Sequence, residues 1–116
     1  MTRRILLVDD DDAFCQLVAE RLGRRGFEVV CCNAPQGALE LLSRDSFEAV
    51  VTDVNLPGMN GIALCERIAT NRADVPVIVI TAFGDLPTAI AAIRVGAWDF
   101  VNKPFEIEEL QLRLEH

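Results

Sequence analysis

Histidine is nearly absent from this chain: its one example is His116, the last residue. The 4 cysteines, Cys15, Cys31, Cys32 and Cys65, show no C-x-x-C spacing and have no histidine cluster near them. A zinc site or a dithiol redox motif needs one or the other, so the thiols read as small apolar residues in or near a core. A cationic surplus is lacking as well, with Lys+Arg 11 against Asp+Glu 18, a net charge of -7 and a pI near 4.6. That balance excludes nucleic-acid binding by this domain through the phosphate backbone. No apolar run approaches the ~20 residues of a bilayer-spanning helix, which excludes a membrane anchor built that way. A signal peptide is excluded too, because the run Ile5 to Val8 after Arg3-Arg4 stops at four acids, Asp9 to Asp12. The expected location is therefore the cytoplasm. Linkers, internal repeats and low-complexity stretches are also missing, while a hydrophobic share of 51% excludes a disordered chain.

What is present is an alternation of short apolar runs and helical periods over residues 1–116, a length suited to one domain. Asp11 or Asp12 caps a helix with Phe14, Leu17, Val18 and Leu22 on its apolar face, and Gly26 ends it. Phe27 to Cys31 reads as a strand. Asn33 and Pro35 open a second helix carrying Ala38, Leu41 and Leu42, which closes at Ser43 to Ser46 before a strand from Phe47 to Thr52. The breaker-rich loop Leu56-Pro57-Gly58-Met59-Asn60-Gly61 leads to a helix with Gly61, Leu64, Cys65 and Ile68 along one side. Pro76 starts a strand through Ile80, Asp85 and Pro87 begin a helix through Val95, and Gly96 ends it. A strand over 97–101 and a last helix from about Ile107 complete five β-α units.

Strands that are apolar nearly throughout are buried on both faces, which implies a parallel sheet with helices on each side. Right-handed crossovers then lead to a doubly wound α/β fold of five strands in the order 2-1-3-4-5. Its switch point falls between the first and third strands, where Asp9-Asp10 and Asp53 end. The other strands deliver Thr81 and Lys103 to the same crevice.

Three converging carboxylates repel one another unless a cation sits among them or some take up protons. Oxygen donors without histidine or thiolate suit magnesium, which keeps several waters and leaves room for a phosphoryl oxygen. Thr81 can donate to another phosphoryl oxygen, and Lys103 can pair with a carboxylate before transfer and with phosphate after it. One carboxylate would act as nucleophile and become an acyl phosphate. Asp53 suits that role, since it stands alone at the end of a central strand, while Asp9 and Asp10 suit the metal. Singly, each residue has a plainer reading as a loop acid, a strand-end hydroxyl or a solvated cation. Jointly, four strand ends converging on one chemistry favour a phosphate and metal site.

At these residues the chain resembles the receiver domain of two-component response regulators, whose fold is flavodoxin-like. The matching stretches are Ile5 to Asp11, Val51 to Gly61, Ile80-Thr81-Ala82, Gly96 to Phe100 and Lys103-Pro104-Phe105. The resemblance implies that Asp53 is the phosphoacceptor and that Mg2+ binds Asp10, Asp53 and the backbone carbonyl of Asn55, with Asp9 assisting through bound water. It implies further that Thr81 and Lys103 bind the phosphoryl group, that Thr81 and Phe100 form the switch pair, and that the Lys103-Pro104 bond is cis. The donor would be a sensor histidine kinase or a phosphotransfer protein, and the chain, not an enzyme with an external substrate, would control an output domain or partner, for instance in transcription regulation. Phe100 stands where many relatives carry tyrosine.

Two other classes meet this sequence less well. A phosphatase of the haloacid dehalogenase type places its nucleophile on the first strand with a second aspartate two residues on, where this chain has Asn55 after Asp53. A flavodoxin-like carrier needs a Ser/Thr/Gly-rich phosphate loop where Asp9 to Asp12 stand. A receiver acting unphosphorylated as an assembly module remains an alternative. The segment 86–95 is apolar on nearly every side, so this helix, the strand 97–101 and the last helix are expected to form a homodimer or effector surface. The kinase and the output are not encoded in this stretch, the last helix is expected to be cut short near the chain's end, and residues 114–116 match the stub of a purification tag, so His116 is given no function.

Overall fold

The architecture follows from a computed structural model that describes residues 3–56 and 58–115. Met1, Thr2, Pro57 of the breaker loop and His116 lie outside the described residues. Ten elements alternate along the chain: β1 (Arg3–Val8), α1 (Asp12–Gly23), β2 (Phe27–Cys32), α2 (Pro35–Arg44), β3 (Ala49–Asp53), α3 (Gly61–Asn71), β4 (Val77–Ala82), α4 (Leu86–Arg94), β5 (Asp99–Lys103) and α5 (Ile107–Leu114). All strand pairs are parallel, and the order is β2-β1-β3-β4-β5, as expected.

The period of two along each strand divides the core into two layers. Leu6, Val8, Val50, Val77 and Val79 face α2, α3 and α4, where Ala38, Leu64, Ile68 and Ala92 are buried against them. Ile5, Leu7, Val51, Ile78 and Ile80 face α1 and α5, which contribute Val18, Leu22 and Leu110. Burial on both faces is why the inner strands β1, β3 and β4 carry long apolar runs without polar alternation.

Several local expectations shift. Leu17, assigned to the apolar face of α1, is 46% exposed, because Cys15, Val18 and Leu22 suffice to cover the sheet there. Asn33 does not cap α2; the N-cap is Ala34, without a side-chain hydrogen bond, and Pro35 supplies the helical φ in the first turn. Phe47 is buried but precedes β3, which begins at Ala49. β5 spans Asp99–Lys103 instead of 97–101, since its ladder pairs Ile78 with Asp99 and Ala82 with Lys103. α4 ends at Arg94, with Val95 as its C-cap. Gly96 follows at φ 115°, a left-handed conformation that favours glycine. No helix among the described residues is long and apolar enough to cross a membrane.

Candidate functional site

The site forms where β1, β3, β4 and β5 all end on one edge of the sheet. The backbone ladder continues one step past β1, Asp9 N donating to Cys32 O at 3.0 Å, so the sheet still fixes the backbone at Asp9. Its side chain lies inside the protein at 1% exposure, whereas Asp10 is exposed and Asp53 lies between the two. Oxygen atoms of Asp9, Asp10 and Asp53 lie within 4.8 Å of one another.

The four consecutive acids divide their work by position. Asp11 is the N-cap of α1, its carboxylate accepting from Phe14 N at 3.1 Å, and Asp12 opens the helix, where an acid complements the dipole. Asp9 and Asp10, one step earlier, are left free to face the crevice. Asp9 Oδ1 accepts from Asp11 N at 2.9 Å, and Asp53 Oδ1 accepts from Asn55 N at the same distance, so each carboxylate is oriented by the turn that follows it.

Behind Asp53 the start of α3 packs without clearance. Gly61 N donates to Val54 O at 2.8 Å, and a Cβ on Gly61 would meet the Asp53 carbonyl oxygen and come within 2.6 Å of Val54 Cα. Asn60 caps this helix by accepting from Ala63 N at 2.8 Å. The breaker loop thus ends in a contact that holds β3 against its following helix.

Lys103, the last residue of β5, spans the crevice. Its ammonium stands 3.3 Å from Asp9 Oδ2 and 3.6 Å from Asp53 Oδ2, and 3.9 Å from the centroid of the Phe14 ring. The Lys103-Pro104 peptide bond is cis. Burial pushes the Asp9 carboxyl above its usual range; the Asp11 N–H and the Lys103 charge oppose this, and the Asp53 charge adds to it. A buried acid under that strain, beside two more, is a donor set for a hard cation. Three carboxylates with neither imidazole nor thiolate among them fit Mg2+.

Thr81 is buried, and its hydroxyl donates to Asn102 Oδ1 at 2.9 Å across the β4-β5 pair. Phe100 is half-buried against the α2-α3-α4 layer, and its carbonyl accepts from Arg113 Nε of α5 at 2.8 Å. All the residues selected from the sequence therefore sit at or beside one sheet edge. Asn102 and Phe14 were not singled out for the site. Asn102 could have been noticed as a polar residue beside Lys103, but its pairing with Thr81 depends on β4-β5 register. Phe14 looks like an ordinary core position on a helix face.

Residues 5–115 match the response regulator receiver domain family. The chain belongs to that family. Membership places the receiver in two-component, phosphorelay signalling, in which relatives are named as response regulators and transcriptional regulatory proteins. It is 39% identical over 110 residues to the response regulator protein FleR of Pseudomonas aeruginosa, covering 95% of this chain and 23% of that protein. It is 37% identical over 111 residues to the transcriptional regulatory protein FixJ of Bradyrhizobium diazoefficiens, covering 96% of this chain and 54% of that one. The receiver thus spans from about a quarter to about half the length of these relatives. Among solved structures it resembles a putative response regulator from Chloroflexus aurantiacus, with a TM-score of 0.94, 33% identity and coverage of 99% and 96%. It also resembles the receiver domain of NtrX from Brucella abortus, with a TM-score of 0.89, 35% identity and coverage of 96% and 98%.

Proposed function

We propose that this receiver takes a phosphoryl group onto Asp53 from the phosphohistidine of a sensor histidine kinase or phosphotransfer protein. The observation that carries the reading is the Lys103 ammonium, 3.3 Å from Asp9 and 3.6 Å from Asp53, at the mouth of a three-acid cluster. An Asp53 carboxylate oxygen attacks phosphorus, the bond to the donor nitrogen breaks, and the imidazole leaves with the electron pair. Asp10, Asp53 and the Asn55 backbone carbonyl would hold Mg2+, with Asp9 assisting through bound water. When bound there, Mg2+ would supply charge neutralisation for the transferring phosphoryl oxygens. Lys103 exchanges part of its attraction for Asp53 for the new phosphoryl oxygens, and Thr81 leaves Asn102 to donate to another.

That rearrangement is the switch. Thr81 swings toward the phosphate, and the neighbouring Phe100 ring turns into the space released, changing the outer surface of α4, β5 and α5. No external substrate is turned over; the output is a cytoplasmic partner, an attached effector domain or a second copy of the receiver. Phe83 at 82% exposure and Trp98 at 62%, with Leu86, Ile90, Ile93 and Leu112, support that surface as the contact region. Recognition there is between proteins, not with nucleic acid or membrane.

Intact mass after incubation with acetyl phosphate, with and without Mg2+, tests the reading. A magnesium-dependent gain of about 80 Da, lost in Asp53→Asn, is expected for one phosphoryl group. No adduct, together with no binding of beryllofluoride, would instead favour the receiver as an unphosphorylated assembly module.

A further inference from the structure

Phe14 is the third residue of α1, fixed there by the Asp11 cap on its backbone N–H at 3.1 Å. Its ring is held a second time, meeting Phe105 edge-on with centroids 5.9 Å apart and planes at 88°. Phe105 lies two residues beyond Lys103, so one short segment supplies both the group that orients the ring and the cation that rests on it. Arg3 over Phe27 and Arg4 over Phe47 make comparable contacts, but at the start of β1, the end of the strand away from the acids.

A lysine ammonium is a point charge on a flexible four-carbon stem, and its position is set by whatever surrounds it. At this site its acidic partners do not stay the same. Asp9 is buried and remains an acid throughout, while the charge on Asp53 moves outward onto phosphoryl oxygens during transfer. With acids alone as partners, the ammonium would be drawn back toward Asp9. An aromatic face attracts it without carrying a net charge and without competing for phosphorus.

Resting on the phosphoacceptor reading above, we infer that Phe14 is a positioning residue whose ring face holds the Lys103 ammonium at the mouth of the acid cluster, within reach of the phosphoryl group on Asp53. The cleft beside it, about 220 Å³ and bordered by Val18, Arg21 and Pro104, leaves room for a larger ring.

The test is a double-mutant cycle on the whole chain. Phe14→Leu, Phe14→Tyr and Phe14→Trp are made with Lys103 intact and with Lys103→Met. Phosphoryl uptake from acetyl phosphate at saturating Mg2+ is timed by intact mass, and the Lys103 ε-methylene protons are followed by NMR. Phe14→Leu is expected to slow uptake about three- to tenfold, while Tyr and Trp stay within about twofold of wild type. The upfield shift that a ring face imposes on the ε protons should vanish in Phe14→Leu and persist in the aromatic variants. With Lys103→Met, Phe14→Leu should cost nothing further. Phe14→Met replaces Phe14→Leu if the latter does not fold. Equal uptake by Phe14→Leu and wild type overturns the inference, and so does a Leu defect of the same size without Lys103, which would leave the ring a packing role alone. A wild type that takes up no phosphoryl group overturns the phosphoacceptor reading and the role of Phe14 with it, a result distinct from uptake that ignores Phe14.

Discussion

Thr81 gives its hydroxyl proton to Asn102, 2.9 Å away on the neighbouring strand. The hydroxyl proposed to meet the phosphoryl group is therefore engaged elsewhere in this state, and the proposed switch must break a half-buried hydrogen bond before it makes a new one.

Replacing Asn102 with Ala should make that step easier. A net hydrogen bond contributes about 1 kcal/mol, so Asn102→Ala is expected to tighten beryllofluoride binding about fivefold. Titration followed by Trp98 fluorescence or calorimetry measures it. Unchanged affinity would show that the Asn102 bond does not oppose switching.

Asp9→Asn should stabilise the metal-free protein. The native carboxyl is raised, chiefly by burial, so the native chain keeps a proton that the unfolded chain has released once pH climbs above 3.8. Stability is then lost as pH rises from that value through the native one. In EDTA the variant should melt about 4 °C higher, the shift produced by ~1 kcal/mol in a domain near this size. Mg2+ should raise the wild-type Tm and raise that of the variant less. A lower Tm for the variant would mean that the Lys103 pair outweighs desolvation.

Gly61→Ala should damage both stability and the placement of Asp53. The new Cβ meets backbone of Asp53 and Val54, neither of which is a flexible side chain able to move aside. A loss of about 2 kcal/mol or more is expected in urea unfolding, with slower phosphoryl uptake by the fraction that folds. Wild-type stability would indicate that α3 can shift as a unit.

Association through the α4-β5-α5 face should depend on its exposed apolar residues. Ile93 is 43% exposed on α4, and Ile93→Asp places a charge where a second copy would have to bury it. Sedimentation with beryllofluoride present is expected to show a dimer for wild type and a monomer for Ile93→Asp. A monomer in both would assign this face to an effector instead of a second copy.

The doubly wound α/β fold was legible because the inner strands β1, β3 and β4 are built on continuous apolar runs and most helices carry a 3.6-residue period, both of them local patterns. Strand ends were legible wherever a polar residue stopped such a run, as at Asp9 and Asp53, while β4 runs one residue past Thr81 to Ala82. β5 was not. Ala97 extends its apolar stretch toward Val101, but Trp98 is exposed, and the ladder with β4 selects Asp99–Lys103. Pairing with a neighbour, not hydropathy, sets where that strand lies.

By itself the sequence determined which residue types reach the candidate site: acids from β1 and β3, a hydroxyl from β4 and a cation from β5. Alternating burial and right-handed crossovers leave few other ways to fold such a chain. Tertiary structure alone decided the partners at that site. The Thr81-Asn102 bond spans 21 positions and the Lys103-Asp9 pair 94. The placement of Phe14 beneath the ammonium depends on how α1 and the segment after β5 meet on one face of the sheet. Contacts between residues so far apart in the chain leave no local periodicity, so they emerge only when the sheet brings the strand ends together.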